Sequence, residues 1–371
     1  MIKPTLHIGI EEEYQIIDPK TRELSSYVTQ MLEAGQRILG QQMKPELQQS
    51  MVEIGTTVCK DVDEARAELI RLRGEIIRLA AGGGLKIAAA GTHPFSLWEM
   101  QKITPIERYF GVQKDMQIVA DQLLIFGTHI HIGIEDREFI IDAMNAVRNI
   151  LPLVLCLSSS SPFWMGRNTG FKSYRCIVFR HFPRTGIPRI FRSWGEYTNL
   201  LNMLEDTQCI PDASKVWWDV RPHWKYPTLE IRICDVCTRV DEVICIAAIL
   251  QAAIFKFWKI RQENLTSRIY PAPLIEENKW RAARYGLEGN IVDFGKLVEI
   301  PAKDIIRHLI EDLIENAGEE LGSTDRIRYA NRILEEGSSA DRQLATFEKT
   351  NDLKAVVDQL ISETAEGIHS R

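Results

Sequence analysis

The chain has 371 residues, of which 45% are hydrophobic and 26% charged, as in an ordinary soluble protein. Its formal net charge of −6 and the lack of an uninterrupted apolar run of about 18 residues argue against a protein that binds nucleic acid or spans a membrane. An odd number of cysteines, seven, without a signal-like N-terminus fits free thiols in a reducing compartment and predicts a cytoplasmic protein.

Three segments far apart in the chain alternate aliphatic side chains with charged or imidazole side chains. Successive side chains of a β-strand point to opposite faces, so we expect three strands, each with one polar face. These polar faces carry glutamates, histidines and an arginine, where an ordinary half-buried strand carries Thr, Lys or Ser. The segments are 6–17 (LHIGIEEEYQII), 128–134 (THIHIGI) and 228–235 (TLEIRICD), and their polar residues include Glu11, Glu13, His129, His131, Glu230 and Arg232.

The segment 45–58 follows the first strand and ends in a similar alternation. Val52 and Ile54 oppose Glu53, which predicts a second strand with Glu53 on its polar face. Glu46 lies on the same side as Glu53 if the segment is helical, and on the other side if it is extended. The position of Glu46 therefore stays open.

The segments that connect these strands are mostly helical in pattern. Asp61 and Glu64 form a capping-box pattern that starts a helix ending near Ala81, before three glycines. Helical patterns also cover 137–157, the Ala-rich segment 243–258, and almost all of the chain beyond it. Neither a G-x-x-x-x-G-K-[ST] loop nor a G-x-G-x-x-G fingerprint occurs, so a nucleotide, if bound, is held in another way.

The segment 163–195 contains no acidic residue, although the chain is acidic overall. Its positive charges predict an electropositive wall or lid, and the alternative is a solvated face that pairs with acids elsewhere. We select Arg167 and Arg175 as the candidate anion contacts. The positive residues are Arg167, Lys172, Arg175, Arg180, Arg184, Arg189 and Arg192.

Glutamate, histidine and arginine on one sheet face are typical of two kinds of site. Hard cations such as Mg²⁺ take oxygen ligands and often share them with substrate phosphates, while Arg232 beside Glu230 would offset charge on a transferring phosphoryl group. The alternative is a metal-dependent hydrolase in which His129 and His131 bind zinc. We favour phosphoryl chemistry, because the hydrolase leaves the glutamates and the basic segment without a role. A nucleotide sensor without turnover is a third hypothesis.

Seven motifs in order over about residues 5–245 carry a family resemblance. They are GIEEEY (9–14), ELQQSMVEIGT (46–56), GTHPF (91–95), HIHIG (129–133), SPFWMGRNTGFKSYR (161–175), WDVRP (218–222) and YPTLEIRICDVCT (226–238). Together they resemble the ATP-dependent carboxylate-amine ligases of the type 2 glutamate-cysteine ligase-like family, which is related to glutamine synthetase. The resemblance implies an α+β fold: a curved, mostly antiparallel sheet with helices packed outside. The whole chain, 1–371, would form one ligase domain with a helical C-terminal part, 246–371.

The resemblance also implies a reaction and the residues that perform it. A carboxylate is activated by ATP as an acyl phosphate, and an amine then attacks to give an amide, ADP and phosphate. The expected substrates are a small-molecule carboxylate and amine, with glutamate-cysteine ligase activity as a weak side activity, and the expected assembly is a homo-oligomer such as a homodimer. The implied ligands of Mg²⁺, or alternatively Mn²⁺, are Glu11, Glu13, Glu46, Glu53, His129 and Glu230.

The remaining implied roles concern catalysis and substrate contacts. Arg232 would stabilise the transferring phosphate and, with Glu53, forms the catalytic pair. The expected contacts of ATP or substrate are His131, Arg167, Arg175 and Arg232. Since both glutamates are expected in a like-charged cluster, Glu53→Gln and Glu230→Gln should each abolish turnover with little loss of stability.

Overall fold

The computed structural model describes residues 2–368 and combines helices with a mostly antiparallel sheet, which confirms the predicted mixture. The strands are β1 (Ile8–Ile17), β2 (Met43–Pro45), β3 (Met51–Gly55), β4 (Lys86–Ala88), β5 (Thr128–Gly133), β6 (Phe163–Trp164), β7 (Arg167–Asn168), β8 (Thr185–Gly186), β9 (Trp217–Trp218), β10 (Val220–Pro222), β11 (Thr228–Ile231), β12 (Asn290–Asp293) and β13 (Val298–Pro301). The helices are α1 (Val28–Leu39), α2 (Val62–Gly82), α3 (Glu107–Met116), α4 (Ile118–Asp121), α5 (Arg137–Val147), α6 (Leu151–Ser158), α7 (Tyr174–Phe179), α8 (Trp194–Asp206), α9 (Val240–Gln262), α10 (Ala272–Tyr285), α11 (Ala302–His308), α12 (Glu315–Leu321), α13 (Thr324–Glu336), α14 (Ser339–Thr350) and α15 (Leu353–Thr364).

The three alternating segments become neighbours in one sheet. Within residues 2–368 this sheet has seven strands, in the order β10-β11-β5-β1-β3-β2, and β4 pairs with the end of β1. All of these pairings are antiparallel. Strands from both ends of the first 235 residues therefore lie in one sheet, with β5 between β11 and β1, as the convergence of their polar faces requires.

One face of β1 belongs to the hydrophobic core. Ile8 and Ile10 are fully buried there, as predicted. Glu12 points to the same face, where it forms an ion pair of 2.6 Å with Arg73 of α2, and both side chains are fully buried. Arg73 also donates to the backbone carbonyl of Thr238, so the buried charges have the additional hydrogen bonds that such a pair needs. Glu12 is thereby separated from Glu11 and Glu13, which face the other way.

The helix and strand predictions hold with three local differences. The predicted start of α2 is confirmed, because the side chain of Asp61 accepts a hydrogen bond from the backbone of Glu64. The predicted helix 137–157 is divided into α5 and α6, which are bent by 64°. The C-terminal part is helical except for the β12–β13 hairpin. The second strand is shorter than predicted, and Val58 lies beyond it with 75% of its surface exposed.

Helix α9 forms the centre of the helical layer. It packs against α2, α5 and α13. By length and composition it could cross a membrane, and 78% of its most apolar window is buried inside the protein. A helix that is apolar all round is what a core position requires. Helices α5 and α6 are long and apolar enough to cross a membrane only if they are taken together as one bent span.

Candidate active site

The polar faces of four adjacent strands form one continuous surface. Glu13 on β1 pairs with Glu53 on β3, and Glu11 pairs with His129 on β5. Glu230 on β11 pairs with His131 on β5. Since neighbouring strands lie about 4.8 Å apart, this register places charged groups from distant parts of the chain within contact distance.

A cavity of about 580 Å³ lies over this surface. Its floor is the polar sheet face, and its walls come from α3, from the start of α7 and from the connections before β9 and between β10 and β11. Of the predicted site residues, the ones that line the cavity are Glu11, Glu13, Glu46, Glu53, His129, Arg175, Glu230 and Arg232.

The first cluster of potential metal ligands is Glu11, His131 and Glu230. One ligand atom from each lies within 4.8 Å of the others. His131 Nε2 is 3.6 Å from Glu11 Oε2, while His131 Nδ1 lies 3.2 Å from the hydroxyl of Thr228, which orients the ring. Burial acts to raise the pKa of Glu11, but hydrogen bonds with His129 and His131 hold it well below its usual range. Glu11 is therefore a carboxylate that is ready to bind a cation.

The second cluster is Glu13, Glu46 and Glu53, again with ligand atoms within 4.8 Å of one another. Glu46, whose position the sequence left open, lies in the turn between β2 and β3 and joins the side of Glu53. Burial raises the pKa of Glu13 to about 7, and burial together with the neighbouring carboxylates raises the pKa of Glu46 and Glu53. Three crowded carboxylates of this kind form an oxygen donor set that fits a hard divalent cation.

Lys44, which the sequence analysis did not select, lies between the two clusters. Its ammonium group is 3.1 Å from Glu11 Oε1 and 2.9 Å from Glu53 Oε1. Burial acts to lower the pKa of Lys44, but Glu53 and Glu11 raise it above its usual range. Lys44 therefore supplies a positive charge that the two clusters share in the absence of a metal ion.

We expect Lys44→Met to lower the free energy of unfolding in EDTA by about 1 kcal/mol, because Glu11 and Glu53 lose their shared cation. The stabilisation gained on adding Mg²⁺ should increase by a similar amount. Thermal unfolding with EDTA and with Mg²⁺ measures both effects. The matched control is Lys60→Met, since Lys60 is exposed and its one ion pair among residues 2–368 is with its neighbour Asp61. A metal response equal to that of the unmodified protein would contradict this role of Lys44.

Two arginines hold Glu230 from opposite sides. Arg221 Nε donates to Glu230 Oε2 at 2.8 Å, and Arg232 Nη1 donates to Glu230 Oε1. Burial acts to raise the pKa of Glu230, but Arg232 and Arg221 hold it well below its usual range. Arg232 Nε is buried and has no hydrogen-bond partner among residues 2–368. Arg232 thus keeps a donor that a ligand in the cavity could use, and Arg221 is a second residue that the sequence analysis missed.

The two histidines of β5 occupy different environments. His129 Nδ1 lies 3.4 Å from Glu11 Oε2 and 3.4 Å from Arg232 Nη1. Burial and then Arg232 lower the pKa of His129 to about 4, so its ring is neutral. The geometry groups His131 with the ligands, whereas the resemblance implied His129. In the described part of the chain neither ligand cluster contains more than one histidine, which is not the donor set of a histidine-rich zinc site.

The two arginines selected from the basic segment are separated in space. Arg175 is the second residue of α7, is buried, and lines the cavity. Arg167 lies on the β6–β7 hairpin, is exposed, and is not among the residues that line the cavity. The structure therefore brings Arg175, but not Arg167, to the clusters of glutamates.

Comparison with known proteins places the sequence among close relatives. The model of the family described as glutamate-cysteine ligase family 2 matches residues 7–359. A protein of Herpetosiphon aurantiacus named "Putative glutamate--cysteine ligase 2" is 56% identical over 361 residues, which cover 97% of this chain and 94% of the relative. A protein of the same name from Solibacter usitatus is 51% identical over 368 residues, covering 99% and 95%.

Two solved structures share the fold. The glutamate-cysteine ligase of Francisella tularensis, determined in complex with AMP, matches with a TM-score of 0.72 and 12% identity, over 98% of this chain and 89% of the other. A bifunctional glutathione synthetase from Pasteurella multocida matches with a TM-score of 0.68 and 14% identity, over 98% of this chain and 53% of the other. With a family match over nearly the full length and relatives that are more than half identical, the chain belongs to the glutamate-cysteine ligase family 2.

Proposed function

We propose that the protein is a ligase that uses ATP to join a carboxylate to an amine. The observation that carries this proposal is the pair of ligand clusters side by side on one sheet face, with Arg232 next to them. Two clusters that start from Glu11 and Glu13, which are successive residues on one face of β1, fit a triphosphate that is held through divalent ions. Membership of the family and the AMP complex of a protein with the same fold support the same reading.

The donor sets fit Mg²⁺, with Mn²⁺ as the alternative. Glu13, Glu46 and Glu53 offer only carboxylate oxygens, and Glu11, His131 and Glu230 offer oxygens and one imidazole. Bound there, the ions would neutralise charge on the phosphates and orient the γ-phosphoryl group. His129 would act next to the first cluster, where it orients the Glu11 carboxylate.

The residues of the chain would then act on the phosphoryl group by position and charge. A carboxylate oxygen of the acid attacks the γ-phosphorus, and ADP leaves. Arg232 Nε, which is free in the cavity wall, offers a donor to the transferring group, while Arg232 Nη1 stays on Glu230. Arg175 adds positive charge on the same side of the cavity. A neutral amine then attacks the acyl carbon, phosphate leaves, and the nitrogen loses a proton.

The substrates are proposed by class. Glutamate and cysteine are the substrates named for the relatives, so they are the first acid and amine to test, with weak activity expected. We further propose that residues 1–371 form one ligase unit with a curved, glutamine synthetase-like sheet, and that the protein works in the cytoplasm as a homo-oligomer.

The test is an assay of ADP release with Mg²⁺-ATP and a panel of carboxylates and amines. We expect release to require an acid, an amine and a divalent ion, and we expect one isotopically labelled oxygen of the acid to appear in the phosphate. EDTA should abolish turnover, and Mg²⁺ or Mn²⁺ should restore it. ADP release that never depends on an acid or an amine, or turnover that ignores ATP, would contradict the proposal.

A further inference from the structure

Asp235 is a buried carboxylate that lies just beyond β11, outside the two ligand clusters. Its side chain is fully buried and forms no ion pair within 4 Å among residues 2–368. Burial raises the pKa of Asp235, and the positive charge of Arg175 acts in the opposite direction. It accepts hydrogen bonds from the backbone of Ser160 at 2.9 Å, from the hydroxyl of Ser161 at 2.7 Å and from the hydroxyl of Ser173 at 2.8 Å. Burying a carboxylate without an ion-pair partner is costly unless hydrogen bonds satisfy its oxygens, and these three hydrogen bonds do so.

The network leads directly to Arg175. The hydroxyl of Ser161 donates to Asp235 and accepts a hydrogen bond of 3.0 Å from the backbone N–H of Arg175. Ser161 also forms a β-bridge with Ser173. Asp235 thus fixes both sides of the loop that ends where α7 begins, and Arg175 is the second residue of that helix.

The guanidinium of Arg175 is held closely at its far end. It donates to the backbone carbonyls of Ile233 and Arg232, at 3.3 and 3.4 Å. It also lies against Gly127, where a Cβ atom would be 2.3 Å from Arg175 Nη2, so a larger residue there would displace the guanidinium from this position. Arg175 Nε is buried without a partner among the described residues, and the side chain lines the cavity. The Nε–H group of Arg175 is therefore a donor that an anion in the cavity could use, on a guanidinium that other hydrogen bonds hold in position.

A purely structural network would join the loops without any effect on ligand binding. The observation against that reading is the residue to which the hydrogen bonds lead. Ser161 donates to Asp235 and accepts from the backbone of Arg175, and Arg175 is the arginine of the basic segment that lines the cavity. Gly91 makes space for the carboxylate, because a Cβ there would be 2.7 Å from Asp235 Cγ. Two glycines thus allow a side chain to lie close to the backbone, Gly91 for Asp235 and Gly127 for Arg175.

We propose that Asp235 is a positioning residue that acts through Ser161 and Ser173 to aim Arg175 at the negatively charged phosphates of the nucleotide. This inference rests on the proposed ATP-dependent function. Asp235 itself touches no ligand, and Arg175 makes the contact. The network also satisfies polar groups of Ser160 and Ser161, which are fully buried.

The experiment is a double-mutant cycle of Ser161→Ala and Arg175→Met, with Mg²⁺-ADP as the probe and isothermal titration calorimetry as the readout. Ser161→Ala removes both hydrogen bonds of the hydroxyl group, the one to Asp235 and the one from the backbone of Arg175, so we expect the Kd to rise by about tenfold. In the Arg175→Met background the same substitution should have no further effect, because the residue through which it acts is gone. The KM for ATP should follow the Kd.

The matched control is Ser159→Ala in the same run of serines. Ser159 donates to the carbonyl of Leu155 and has no contact with Asp235, so the Kd should not change. A second variant, Ser173→Ala, should also weaken binding in a manner that depends on Arg175. Additive effects of Ser161→Ala and Arg175→Met, or an equal effect of Ser159→Ala, would overturn this inference alone. An unmodified protein that does not bind Mg²⁺-ADP would overturn the proposed function and this inference with it.

Discussion

Arg232→Lys is expected to lower kcat by about 10³-fold, the scale of an arginine that stabilises a transferring phosphoryl group. In the structure Arg232 Nη1 donates to Glu230 and lies 3.4 Å from His129 Nδ1, while Arg232 Nε has no hydrogen-bond partner in the part of the chain that the structure describes. A lysine has one compact ammonium group, which cannot hold Glu230 and contact a phosphoryl oxygen at the same time. The loss should therefore occur although the charge is kept.

The measurement is steady-state kinetics with Mg²⁺-ATP and the best acid and amine found in the substrate assay. Arg221→Lys is the matched comparison, because Arg221 also binds Glu230 but donates its remaining hydrogen bonds to the backbone carbonyls of Ser214 and Val216. We expect a clearly smaller loss of kcat for Arg221→Lys. Equal losses for the two variants would mean that both arginines only hold Glu230, and would remove the catalytic role of Arg232.

Glu53→Gln and Glu230→Gln are expected to abolish turnover equally but to change stability in opposite ways. Glu53 lies among Glu46, Glu13 and Glu11, and burial together with the charge of Glu11 raises its pKa although Lys44 acts to lower it. Removing the charge of Glu53 should therefore leave the melting temperature in EDTA unchanged or raised. Glu230 instead lies between two arginines. Its removal leaves their buried charges unpaired and should cost about 3 to 5 kcal/mol of unfolding free energy.

This corrects the expectation from sequence that both substitutions spare stability. Thermal unfolding of the two variants in EDTA, beside the ADP-release assay, checks the pair. A loss of stability in Glu53→Gln as large as that in Glu230→Gln would show that Glu53 supports the fold and does not belong to a repulsive cluster. Full activity in either variant would remove that glutamate from the site.

The sequence was sufficient to predict which strands form the site and which side chains share a face. Alternation with a period of two assigns Glu11 and Glu13 to one face of β1, and the same rule assigns His129, His131 and Glu230. Glu12 also follows this rule, since it lies on the apolar face, where Arg73 neutralises it. The polar faces could thus be predicted without knowledge of the neighbours.

The register between strands could not be predicted, and it decides which side chains lie next to each histidine. In the structure His129 lies opposite Glu11. A shift of two residues between β1 and β5 would keep every side chain on its face but would place His131 opposite Glu11. Strands separated by more than a hundred residues carry no local signal that fixes such a shift. The place of His131 beside Glu230 therefore had to come from the structure.

The positively charged residues Lys44 and Arg221 could not be predicted for a related reason. Lys44 lies on the short strand β2, whose three residues are too few to show a period, and it reaches the clusters only because β2 pairs with β3. Arg221 faces Glu230 through the β10–β11 pairing. In the basic segment the chain reverses at the β6–β7 hairpin, so seven positive charges in sequence do not share a face. Composition identified the segment but could not separate Arg175 from Arg167.

The central claim is that one sheet face holds two divalent ions and the phosphates of ATP. The most direct measurement is a crystal structure with Mn²⁺ and a non-hydrolysable ATP analogue, in which anomalous scattering locates the ions. We predict one anomalous peak among Glu11, His131 and Glu230 and a second among Glu13, Glu46 and Glu53, with the phosphates between them and Arg232. Peaks elsewhere, or a nucleotide bound away from this face, would contradict the account.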